Sequence, residues 1–133
     1  MAAANYVVTP KNGAFAQVTA ANTNRDGTGT LATIYTAAAS AFGSRVDRLA
    51  INAPGTTTAG MIRLFIANSG GGSIRLIREI PVIAITPSAT QPAFSVEVVF
   101  DNGLILENGA TLRASTHNAE TFNITPIVAG DFV

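Results

Sequence analysis

The sequence predicts an all-β fold, an antiparallel sandwich of about eight strands joined as a jelly roll, with an up-and-down barrel as the structural alternative. Three observations predict it. Short runs rich in Val, Ile, Thr and Phe recur roughly every 10–14 residues. Gly, Pro or Asn clusters separate most of them. Pro81 interrupts the longest run, from Ile74 to Thr86, and marks an edge or a corner of the kind two-sheet sandwiches use.

Residues 1–14 read as an extended arm, and residues 15–133 as the single sandwich domain. An arm of this kind can pair with a neighbouring subunit. Phe15 to Ala21 alternates weakly and is the first strand of the domain; Asn22 to Gly29 is a polar loop. Thr30 to Thr36 is a second strand, and the small-residue run Ala37 to Ala41 is a loop that stops at Gly43. Ser44 to Ala53 is a third strand with Val46, Leu49 and Ile51 inward. The Val46-to-Leu49 spacing breaks period two and predicts a bulge near Asp47. In Met61 to Ala67, Ile62, Leu64 and Ile66 share one face, while Arg63 and Phe65 share the other. Ser69 to Ser73 is a hairpin loop. Ile74 to Thr86 places Leu76, Arg78 and Ile80 on one parity and Arg75, Ile77 and Glu79 on the other. Ala93 to Phe100 is the cleanest strand, with Phe94, Val96, Val98 and Phe100 alternating against polar neighbours. Asn102-Gly103 and Asn108-Gly109 predict tight turns on either side of Leu104 to Glu107. Ala110 to Thr116 has Leu112 and Ala114 inward, and Thr121 to Val128 has Phe122 and Ile124 inward.

Composition narrows the function classes. Charged residues make up 12% of the 133-residue chain and hydrophobic ones 47%. Interface cores are depleted of charge, so a weakly charged surface suits permanent protein contacts. Net charge is zero, and Lys11 is the only lysine beside seven arginines. The arginines form no run, which argues against a nucleic-acid footprint. No apolar run approaches the roughly 18 residues of a membrane span, and the N-terminus lacks a secretory signal. Without cysteine there is no disulfide framework and no thiolate metal site.

The search for chemistry yields weak candidates. His117 is the only histidine, and no Gly-x-Ser-x-Gly elbow surrounds any serine. A lone histidine at a strand end reads as a loop residue. Asn22, Asn24 and Asp26 before Gly27 form the best ion-site pattern but lack the later Glu of a calcium loop, and read better as an Asx-rich turn. The three glycines Gly70 to Gly72 precede a strand rather than a helix, so a phosphate loop lacks its helix N-terminus. The expectation is a non-enzyme with no cofactor and no metal.

Three stretches carry a resemblance: Gly43 to Ala53, Thr57 to Ile66 and Leu112 to Ile124. Together they resemble small structural proteins encoded among the virion genes of tailed bacteriophages and prophages. The resemblance spans roughly residues 30–133 and carries no catalytic residue across. It implies a capsid decoration, or cement, protein with a jelly-roll fold, on the capsid surface, with the major capsid protein as partner and no direct contact to nucleic acid or membrane. A tail or neck component, or a carbohydrate-binding adsorption module, are the alternatives. Proteins of this kind often form trimers. The second apolar face at Phe65 therefore predicts a homotrimer interface over Arg63, Phe65, Arg75, Ile77, Arg78 and Glu79, with the arginines paired to Glu79 or Glu97 of the next subunit.

Overall fold

A computed structural model describes residues 8–11, 16–39 and 42–132. Among these residues nine strands make two antiparallel sheets. They are β1 (Val8–Pro10), β2 (Ala16–Val18), β3 (Ala32–Thr36), β4 (Ser44–Asn52), β5 (Gly60–Ala67), β6 (Ile74–Val82), β7 (Ser95–Leu106), β8 (Thr111–Thr116) and β9 (Phe122–Phe132). Sheet A runs β1-β9-β4-β7, with β2 beside β1 on the same edge of β9; sheet B runs β3-β8-β5-β6. The pairings β2 with β9, β3 with β8, β4 with β7 and β5 with β6 are nested, like one long hairpin rolled on itself. The expected sandwich is what forms. Most of the expected arm lies outside the described residues; within it, β1 pairs with β9 of its own chain.

Alternation places the core between the sheets. Val46, Leu49 and Ile51 from β4 meet Ile62 and Leu64 from β5, with Phe94, Val98, Phe100, Leu112, Ala114, Phe122 and Ile124 around them. Phe94 and Phe122 touch edge to face at 6.0 Å between ring centroids. Each such side chain withdrawn from water contributes roughly 1.5–3 kcal/mol before entropy is counted.

Three local expectations change. The bulge near Asp47 is present, as the register slips between Val46 and Arg48. The opposing residues, however, include Asn102-Gly103, which do not reverse the chain. Both take positive φ, 63° and 82°, and β7 continues through them as an excursion against Asp47. An Asn-Gly pair supplies two left-handed residues, and a wide bulge uses them as well as a hairpin does. Next, of the edge and the corner expected at Pro81 the structure has the edge and not the corner: β6 stays in one sheet as the edge strand of sheet B, where the missing amide of Pro81 costs no ladder bond. Finally, the register slips opposite Leu64 and Phe65, so Ile77 is an extra residue. Leu76 then faces Phe65 and Arg75 faces Ile66, so parity flips halfway along the strand.

Gly43 shows how tightly one connection is drawn. Its φ is +70°, and a Cβ there would lie 2.3 Å from the Leu106 carbonyl oxygen, a backbone atom that cannot step aside. Gly43→Ala is expected to cost about 2–4 kcal/mol from left-handed strain plus backbone displacement. Gly72→Ala, with nothing within 4 Å of the added carbon, should stay within about 0.5 kcal/mol. Equal urea midpoints for the two variants would refute this account.

Candidate interaction surface

The outer face of sheet B is closed by its own chain. Between β2 and β3 the segment 19–31 joins β8 through a bridge of Ala21 to Thr116, then reaches over to β6. There Arg25 Nε donates to Glu79 Oε2 at 2.8 Å, and Gly27 lies against Ile74. The Asn22 side chain closes the base, donating to the carbonyls of Thr28 and Thr30 and accepting from the Asn24 amide. Beneath this strap Phe65 is 0% exposed and Arg63 is 2% exposed. These two expected interface residues are therefore interior, and the face that bears them is not a subunit surface. A loop that lays small and polar residues over a sheet gives no periodic signal, so the cover was not readable from parity alone.

Arg63 Nε donates to the same Glu79 oxygen at 2.9 Å, so one carboxylate serves a buried and an exposed arginine. The hydrogen bond from Arg25 outweighs partial desolvation, and with Arg63 it holds the Glu79 carboxyl below its ordinary range. Arg63 Nη1 and the hydroxyl of Ser115, its cross-strand neighbour, are buried without a protein partner. Arg78 is also spent within the chain: its guanidinium lies 5.3 Å from the Phe100 ring centroid and donates to the Val99 carbonyl. Glu97 pairs with Arg48 at 3.2 Å. The expected pairs to a neighbour's Glu79 or Glu97 thus meet carboxylates already engaged at home.

Arg75 and Ile77 are placed differently. They line a groove of about 550 Å³ between the open edges of the two sheets, with Ile66, Leu106 and Ala110 beneath and Ile105 and Glu107 on the opposite wall. Ile77 is 38% exposed and Ile105 60%. No aromatic ring lines the groove, unlike the stacking platform a sugar site would use. Ile105 and Glu107 were missed because a tight turn was expected at Asn102-Gly103, which hides that β7 runs on to Leu106.

At another point the sheets are tied by Asp131. Its carboxylate accepts hydrogen bonds from the Tyr35 hydroxyl, at 2.9 Å, and from the buried Ser44 hydroxyl. Lys11 stands 3.5 Å away and 4.9 Å from the Tyr35 ring centroid. Burial raises the Asp131 pKa, but the Ser44 and Tyr35 hydroxyls and the Lys11 charge together bring it below the ordinary carboxylate value. Tyr35 is pushed up, by burial first and by Asp131 second.

The other chemical candidates stay apart. Asp26 accepts from the Thr28 amide and hydroxyl, so the Asn22, Asn24 and Asp26 side chains are engaged in holding their own loop. His117 is half-buried just beyond β8, with Nδ1 unpartnered. Among the described residues no three His, Asp or Glu side chains are grouped to hold a metal, and no helix is long and apolar enough to cross a membrane.

Two outcomes follow from these ion pairs. Glu79→Gln leaves the Arg63 charge buried without its counter-ion, whereas Arg63→Met removes the charge as well. The first should lower the melting temperature more than the second; the reverse order would refute the strap's reliance on Glu79. For Asp131 the folded pKa is depressed, so its contribution is present above the unfolded value of about 3.9 and is lost as pH falls through the folded one. The stability gap between wild type and Asp131→Asn, measured by urea unfolding, should shrink from pH 7 to pH 3. A gap independent of pH would contradict the assigned role.

Comparison with known proteins finds no matching family model, no matching curated protein and no matching solved structure.

Proposed function

We propose that this chain is a structural protein of a tailed-phage virion that decorates the assembled head. On this reading it sits on the capsid surface, contacts the major capsid protein and self-associates. The nested strand pairings support jelly-roll connectivity, the fold the resemblance implies. The observation that carries the reading is the open side of the sandwich. There Ile77 and Ile105 stay exposed around an apolar groove, while most ionic side chains are spent inside the chain.

A decoration protein works by binding one state of a shell. Contacts that span neighbouring capsid subunits exist only after assembly, so bound protein stabilises that state by mass action. Added apolar contact resists the outward pressure of packaged DNA and needs no catalytic group.

The test adds purified protein to undecorated heads of the encoding phage or prophage and measures thermal rupture. Rupture should move to higher temperature in step with bound protein, and electron microscopy should place that protein on the head lattice. Heads that neither bind nor gain stability would overturn the proposal, as would label confined to the neck or tail.

A further inference from the structure

We propose that the groove between β6 and β7 is the docking site for a second copy of this chain. Its floor is Ile66, Leu106 and Ala110, and its rims are Ile77 and Ile105. Arg75 stands on the β6 wall and Glu107 on the β7 side, and neither side chain has a hydrogen-bond or ion-pair partner among the described residues. Opposite charges on facing walls make this surface its own complement. A second copy turned to face it brings its Glu107 to Arg75 and its Ile105 to Ile77. The apolar rims supply the buried area, and the charges set the register. Zero net charge leaves no long-range repulsion between copies.

The groove suits packed side chains better than an added strand. Pro81 lies in β6 and lacks a donor, Arg78 occupies the Val99 carbonyl, and the Asn102-Gly103 excursion breaks the run of β7. These are devices that blunt an edge against extra strands. The contact also relocates the self-association expected at Phe65, since Arg75 and Ile77 are the members of that set left open.

A charge swap tests it. Wild type, Arg75→Glu, Glu107→Arg and the double variant are compared by sedimentation equilibrium at micromolar concentration, with thermal melts to verify folding. Wild type should self-associate. Each single change places like charges together and should weaken association roughly tenfold or more, and the double change should restore it to within about threefold. Ile105→Ser, on an exposed position, should weaken it independently of charge. A monomeric wild type, unaffected single variants, or a double variant without rescue would each overturn the proposal. Head binding is scored separately. A monomer that still stabilises heads rejects this contact and spares the decoration reading, and an oligomer that ignores heads does the opposite.

Discussion

Double-sided burial of β5 is the constraint the rest of the subunit answers to. Ile62, Arg63, Leu64 and Phe65 are buried in unbroken succession, so both faces of one strand are withdrawn from water. The inner face is covered by sheet A, as in any sandwich. The outer face holds a phenyl ring and a guanidinium, and among the described residues the chain between β2 and β3 crosses from β8 to β6 over that face. This explains why that segment leaves sheet A, bridges to Thr116 and is latched at its far side by Arg25 to Glu79. It also explains a buried arginine with an incomplete hydrogen-bond set. The guanidinium is held by a carboxylate on an edge strand, where Glu79 can also meet solvent and Arg25.

How far the fold is legible in the sequence depends on the range of the signal. Period-two alternation is local, so the inward residues of β4, β7, β8 and β9 could be read directly; Phe94, Val98, Phe122 and Ile124 are all in the core. The irregularity at Asp47 was legible because a broken alternation is itself local. The extra residue at Ile77 was not, because it exists only relative to β5. Asn102-Gly103 was misread for a related reason: the dipeptide reports two left-handed residues, and whether they reverse a chain depends on what lies opposite. The groove joins residues from β5, β6, β7 and the turn after it, and no single stretch shows them together.

Charge is used sparingly and mostly inward. Glu79, Arg78 and Asp131 each hold a junction: strap to sheet, one sheet edge to the other, and β9 to β3 and β4. Buried and half-buried pairs of this kind fix geometry more than they add stability. What remains outside is a neutral skin of Thr, Asn, Ser and small apolar residues, interrupted on the open side by isoleucines. Such a skin suits protein contact in general, since few charges must be desolvated when it is covered.

The nested pairing has a kinetic side. The innermost pair closes cheaply, because Ala67 and Ile74 meet across a few residues. Each pair further out must bring together chain segments more distant in sequence, until Lys11 meets Asp131, 120 positions away. Loop-closure entropy grows only with the logarithm of that distance, but non-local pairing is the feature that slows folding most. If the outer pairs close last, the tie at Asp131 forms late, and unpaired β2 and β9 edges stay open meanwhile. During synthesis β9 emerges after β1, β2 and β4, the strands it must join, so the rolled hairpin cannot close sheet A until its last strand has been made.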